Sequence, residues 1–418
     1  MYSGRKKIAG RHTMARYLNR KWSMNEQSSL LQALRSGDVE AAKQLLNSGE
    51  RLPKNLQSYE WSAIFDKIKD RKAFDILDQL IEDGTIETDL YEYDSFKKSI
   101  FDHIIRFPTD QASLDYFSTL IGKFQSLNSD LQDQTLLGYA LEEAADIALI
   151  KRLVEAGCDI NYKNNAEENF IYQVVNNGAL SVRNTEKGVE YLKFLIGEGL
   201  EVDTANIVGT TPLHLVIDRN RKEYLDVLLE NGANPNAQDK KGRTPFYNVV
   251  VDQFNLASYD KLASYDSPAF ELRAQEEGTM LAKYVSRLDR ASETEIKLLE
   301  RLIQDGADVY HTSEHYGKEK SALDWAAEKN AEILKILVED GNIDINQQDN
   351  EGNTLLHKVC AHELYRDNEK AKETYRKVKL LLSKGADIHI QNDKDQTALT
   401  LASQDNTKSK TVELLLQN

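Results

Sequence analysis

A glycine recurs behind a run of apolar residues along this chain, and that recurrence restricts the fold more than any other feature. Leu45-Leu46-Asn47-Ser48-Gly49 is followed by Leu80-Ile81-Glu82-Asp83-Gly84, and the pattern returns at Gly157, Gly199, Gly232, Gly306, Gly341 and Gly385. The spacings are 35, 73, 42, 33, 74, 35 and 44 residues. They define a period near 33, with one marker missing between Gly84 and Gly157 and extra residues elsewhere. A period of this size signals stacked supersecondary units, none of which can bury its apolar face alone.

Each unit carries a second signal. The glycine suits a left-handed helix C-cap and leads into turn residues, as in Gly232-Ala233-Asn234-Pro235 and Gly385-Ala386-Asp387. About 21 residues earlier stands a Thr or Ser that can cap a helix. The fullest case is Thr211-Pro212-Leu213-His214, with Pro212 at the first helical position, where its missing N–H costs nothing. Thr244-Pro245, Ser321-Ala322, Thr354-Leu355-Leu356-His357 and Thr397-Ala398 repeat it. These residues resemble the ankyrin repeat family, strongly near 208, 241, 318, 350 and 394 and weakly across 55–130. In that weak stretch helical spacing alone, Ile64, Phe65, Ile68 and then Phe74, Leu77, Leu80, predicts helix pairs.

The resemblance implies an all-α fold: an α-rich repeat solenoid with short β-hairpin fingers, each unit made of a finger, an inner helix and an outer helix. It implies that Thr211, Pro212, His214, Gly232, Thr354, His357 and Gly385 are structural, the two imidazoles bridging neighbouring repeats. Length arithmetic predicts about ten repeats in one solenoid over 25–418, with insertions near 177–187, 253–291 and 362–372. In the largest insertion, Asn255-Leu256-Ala257-Ser258-Tyr259-Asp260 and Lys261-Leu262-Ala263-Ser264-Tyr265-Asp266 form a tandem hexamer, expected as a tethered loop. Ser267-Pro268 is expected to open a helix, Met280 to Leu288 to form an apolar stripe, and Ser292 with Glu295 a capping box.

Charge narrows the function. The chain has 53 basic and 68 acidic side chains, a formal charge of −15. Residues 1–22 hold seven Lys and Arg and no Asp or Glu, which leaves −22 for the remainder. We read 1–24 as a basic disordered leader. Acidity over the repeats disfavours nucleic acid, which needs clustered cations, and no stretch reaches the roughly 18 apolar residues of a membrane span. Two cysteines exclude a disulfide framework and fit a reducing, cytoplasmic setting; secretion as a bacterial effector is the other setting considered.

Catalytic patterns are weak. His311-Thr312-Ser313-Glu314-His315 matches an inverted zinc-peptidase motif, but it falls in a finger where a helix would be required. His357, Cys360 and His362 form a second metal-like cluster in structural slots, and phosphate loops and nucleophile elbows are absent. The expectation is therefore a non-catalytic, monomeric protein-binding protein without cofactor or metal, with a basic protein as partner, of inhibitor or immunity type. A host-directed effector, or an enzyme hidden in divergent sequence, is the alternative. Tyr259, Asp260, Tyr265, Asp266, Asp239 and Tyr310 are the expected partner contacts.

Overall fold

Each unit is set by how its first helix begins. Thr135, Thr211, Thr244, Ser321, Thr354 and Thr397 stand in extended backbone and accept the N–H three residues on. That satisfies one of the donors a helix start leaves unpaired. In the computed structural model, which describes residues 28–53, 56–97, 99–288, 291–315, 318–340 and 343–418, this opening precedes a short helix that leads to a second one. The leader at 1–24 and the Gly341 marker lie outside the described residues.

The chain divides after Leu200 into two compact units. The first contains five helix pairs: Ser29–Ser36 with Val39–Asn47, Ser58–Arg71 with Phe74–Glu82, Phe101–Ile104 with Gln111–Ile121, Leu136–Glu142 with Ile147–Glu155, and Phe170–Asn176 with Thr185–Gly197. Like packs on like: Ser29–Ser36 lies on Ser58–Arg71, and Gln111–Ile121 on Ile147–Glu155. The weak stretch is built as its spacing predicts, with Ile64, Phe65, Ile68, Leu77 and Leu80 buried. Its missing marker is Gly122, which ends Gln111–Ile121 in right-handed backbone at φ −63° rather than as a left-handed cap.

The second unit contains six pairs. Pro212–Asp218 precedes Lys222–Glu230, and Pro245–Tyr247 runs into a π-helical turn, Asn248–Asp252, before Leu256–Ala263. Met280–Arg287 precedes Glu293–Gln304, Ala322–Glu328 precedes Ala331–Asp340, Leu355–Ala361 precedes Asn368–Ser383, and Ala398–Ala402 precedes Ser409–Leu416. The described residues thus hold eleven pairs rather than ten.

The additional pair corrects the account of residues 253–291. They are not an insertion between two helices of one repeat. Leu256–Ala263 is itself a second helix and packs on Glu293–Gln304, while Met280–Arg287 is a first helix wedged between Asn248–Asp252 and Ala322–Glu328. Ser267-Pro268 opens no helix; it leads into a finger whose strands, Arg273–Ala274 and Gly278–Thr279, pair antiparallel. The tandem hexamer is no tethered loop either. Tyr259 is fully buried in Leu256–Ala263 and donates its hydroxyl to Asp305 Oδ2 at 2.7 Å. Tyr265 occupies the marker position, 33 residues after Gly232 and 21 after Thr244.

The other two insertions also become helix. Residues 178–183 form an extra turn of helix, Gly178–Arg183, before the 13-residue Thr185–Gly197. Residues near 362–372 feed the 16-residue Asn368–Ser383. Fingers are joined edge to edge by backbone bonds, from the Lys240 N–H to the Val208 carbonyl (3.0 Å) and the Gln275 N–H to the Lys241 carbonyl (2.7 Å). That closeness makes Gly278 obligatory. It sits at φ +81°, and a Cβ there would lie 1.9 Å from Ser313 Cβ.

The equivalent tyrosines of the two hexamer copies should therefore behave oppositely. Tyr259→Ala empties a core position and should cost about 3 kcal/mol or more. Tyr265→Ala, on an exposed side chain, should stay within about 0.5 kcal/mol of the parent. Urea unfolding of both variants checks this, and equal losses would contradict the assignment of Leu256–Ala263 as a core helix.

Candidate functional site

The described residues bring polar side chains together on the fingers and first helices. In the first unit, residues 92–97 run towards Phe101–Ile104 beside the 131–134 finger and the C-terminal half of Leu136–Glu142. Between them lies a groove of about 800 Å³. Its lining carries five carboxylates, Glu92, Asp94, Asp133, Glu142 and Glu143, against one described cation, Lys97.

Not all of this charge is free. Glu143 pairs with Arg106 at 2.9 Å, and Arg106 also holds Asp102 at 2.9 Å. Tyr139 donates to Asp102 at 2.7 Å. Burial raises the Asp102 carboxyl, but the hydrogen bonds from Tyr139 and Arg106 outweigh it and leave the group below the usual range. Glu142 accepts from Gln134, and Asp133 accepts the Asn165 N–H at 2.7 Å. Glu92 and Asp94 are exposed at the rim, and Tyr91 beside them is 76% exposed. Burial pushes the Tyr93 phenol up to about 12, so it remains a neutral donor at physiological pH.

In the second unit the polar face is charge-balanced. Arg243 pairs with Glu277 and Asp252, Arg287 with Asp252 at 2.8 Å, and Lys283 with Glu277 at 3.4 Å. Tyr247 donates to Glu277 and Asn248 to Asp218, at 2.8 and 3.0 Å. This network spans neighbouring repeats and pairs its cations with its carboxylates, leaving the Arg243 Nε buried without a hydrogen-bond partner. It acts as mortar between repeats. Sequence reasoning missed it because the residues lie up to 69 apart, from Asp218 to Arg287; the Val249-Val250-Val251 run next to Asp252 marks the π-helical turn that seats it.

The expected contact residues do not form one patch. Tyr259 is buried, and Asp260 on the same helix pairs with Arg301 at 3.1 Å. Tyr265 lies under the Lys261 ammonium, 5.2 Å from the ring centre, and Asp266 accepts from Asn236 at 3.2 Å. Asp239 holds a fingertip by accepting the N–H groups of Lys241 and Arg243 at 2.8 and 2.9 Å. Tyr310 accepts the Asp344 N–H at 2.8 Å, tying one finger to the next. A contact role for Tyr259 is thus corrected on burial, and the others serve local structure.

His214 and His357 have the same geometry. His214 is fully buried; its Nδ1 faces the Thr211 N–H and hydroxyl at 3.2 and 2.9 Å, and its Nε2 donates to the Arg243 carbonyl at 3.1 Å. His357 repeats this with Thr354 and the Gln396 carbonyl at 3.0 Å. Both ring nitrogens of His357 are therefore committed, and it has no lone pair to give a metal beside Cys360. The His311–His315 string lies partly on the strand Ser313–His315, paired with Lys318–Lys320, so its backbone is extended and not helical. Cys158 and Cys360 are unpaired and buried, and burial pushes both thiols up to about 12.

With this geometry in hand, the comparisons give the class. Residues 180–259 match the model for ankyrin repeats in three copies, and 318–350 and 351–393 each match a single ankyrin repeat. Over these residues the chain is built of ankyrin repeats. An ankyrin repeat protein of fowlpox virus is 25% identical over 136 residues, 32% of this chain and 38% of that protein. One of monkeypox virus is 37% identical over 59 residues, 14% of this chain and 10% of that protein. The matched stretches thus span well under two thirds of these relatives. Among solved structures, the ankyrin repeat domain of Bcl-3 matches at 21% identity and TM-score 0.46, covering 60% of this chain and 99% of that one. A chain from the complex of a predatory endopeptidase of Bdellovibrio bacteriovorus with an immunity protein matches at 25% and TM-score 0.37, covering 49% and 97%. No helix among the described residues is long and apolar enough to cross a membrane.

The His214 geometry has a pH signature. Burial holds its imidazole below the ordinary value of 6.5, a desolvation larger than the opposing pull of the Arg243 carbonyl and nearby carboxylates. The unfolded chain then binds the proton more readily, so stability is complete above about pH 6.5 and is lost as pH falls below it. His214→Gln should flatten this decline between about pH 7 and 5, read as the urea midpoint. His214→Ala should cost about 1–2 kcal/mol at neutral pH, since Thr211 and Arg243 lose a buried partner.

Proposed function

We propose that this chain is a non-catalytic binding protein that takes a basic protein partner on the finger-and-first-helix face of its first unit, masking the partner as an inhibitor or immunity-type protein does. Ankyrin repeats bind other proteins. The observation that carries the finer reading is the groove at 92–97 and 131–143, where five carboxylates meet one described cation. Two of those carboxylates, Glu92 and Asp94, are exposed next to the exposed ring of Tyr91. Carboxylates give a cationic segment direction and encounter rate, and an exposed tyrosine offers an aromatic face to an arginine or lysine. The formal charge of −22 beyond residue 22 adds long-range steering. Two unpaired buried thiols fit a reducing compartment such as the cytoplasm, where the chain acts as a monomer.

The test is a titration of the purified chain with a fluorescent Lys/Arg-rich peptide of ~15 residues, long enough to cross two repeats. The triple change Glu92→Gln, Asp94→Asn, Glu142→Gln should weaken binding at least tenfold, about 1.4 kcal/mol, with an unchanged thermal midpoint. Binding by the parent should also weaken steeply as salt rises past about 0.15 M, where screening acts over roughly 8 Å. Salt-independent affinity that survives the triple change would leave the acidity as a solubility device.

A further inference from the structure

An ammonium group loses its hydration on burial, so lysines are rarely enclosed unless paired. Two lysines near the C-terminal end of the second unit are enclosed all the same. Lys377, on Asn368–Ser383, is 1% exposed and donates to the carbonyls of Ala327 and Lys329 at 2.5 and 2.9 Å. Lys408, closing the turn Asn406–Lys408, is 2% exposed and donates to the Cys360 carbonyl at 2.7 Å. In each case the acceptors lie at the end of the first helix one repeat back, Ala322–Glu328 or Leu355–Ala361. Those are the carbonyls a helix end leaves unpaired, at the negative pole of its dipole. Lys187 does the same in the first unit, half-buried, reaching the Ala144 carbonyl at 2.9 Å just past Leu136–Glu142.

The nearby carboxylates are engaged elsewhere. Glu373, on the same helix as Lys377, accepts from the Ala331 N–H at 2.7 Å and from Arg376. Glu328 pairs with Lys320 at 2.6 Å, and Asp405 accepts from Thr407. The remaining groups facing Lys377 and Lys408 are the Cys360 thiol, His362, Glu363 and each other. Burial outweighs the pull of these carboxylates, lowers Lys408 and pushes Lys377 down to about 8.

We propose that Lys377 and Lys408 are inter-repeat clasps whose charge loosens, and whose neutralisation tightens, the last three repeats, making that end of the molecule an element strengthened by base. A neutral amine still donates hydrogen bonds, so the clasp survives loss of the proton while its desolvation cost disappears. The sign follows from linkage. The unfolded chain holds the proton up to the ordinary lysine range and the folded chain releases it earlier, so stability rises with pH between the two values. It is fully present above the unfolded value and is lost as pH falls through the folded one.

The experiment uses the full chain below about pH 10, where the buried tyrosines stay protonated. Opening equilibrium constants for the amides of 322–361 are measured by hydrogen exchange at about pH 7.5 and 9.5, corrected for intrinsic rates. The parent should show opening at least about tenfold rarer at the higher pH, and Lys377→Met should lose most of that dependence while opening no more often than the parent at the lower pH. A parent that opens as often or more often at the higher pH overturns the proposal, as does a methionine variant that keeps the full dependence. Should that variant not fold, the Cε chemical shift of Lys377 in the parent decides: a midpoint well below the ordinary lysine value supports the clasp, and one at that value refutes it.

Discussion

A pair of short helices has one apolar face and nothing within itself to cover it, and the rest of the molecule answers that shortage. Leu356, Val359 and Cys360 of one first helix are fully or nearly fully enclosed only because another repeat lies alongside. The enclosure needs more than grease, because stacked helix ends leave backbone groups away from water. The imidazoles of His214 and His357 meet this need at the starts of first helices, each tying its own Thr cap to a carbonyl of the following repeat. At the other ends, Lys187, Lys377 and Lys408 reach back to the orphan carbonyls. One repeat thus donates a hydrogen bond forward through histidine and accepts one from the repeat that follows it through lysine.

This division explains what the extra residues became. A segment added to a solenoid can remain a loop at little entropic cost, yet the described additions are helical. Thr185–Gly197 and Asn368–Ser383 are the second helices that carry Lys187 and Lys377 to their carbonyls. Residues 253–291, which the spacing presents as the largest insertion, hold the second helix of one repeat followed by the hairpin and first helix of the next.

Much of this was legible in the sequence, and the failures share a cause. The Thr-Pro-Leu-His opening at 211 and the glycine at 232 state their roles directly, because only a capping oxygen and a left-handed turn suit those positions. The extra repeat was hidden because Tyr265 stands where a glycine was sought, and its helix ends without left-handed backbone. Position still betrayed it, 33 residues after Gly232, whereas residue type did not. The tandem hexamer misled for a related reason: two identical Ser-Tyr-Asp triplets differ completely in burial, since Tyr259 faces the core from within a helix and Tyr265 follows its end. The acidic groove was legible only as net charge. Its carboxylates come from segments some forty residues apart, and stacking alone brings them together.

The functional claim is that stacking concentrates this charge on the finger-and-first-helix face of the first unit. The most direct measurement is a hydrogen-exchange footprint of the chain saturated with a Lys/Arg-rich peptide against the free chain. The account predicts slowed exchange at 90–97 and 131–143, with little change across 255–266. Protection confined to 255–266, or spread over the second helices, would contradict it.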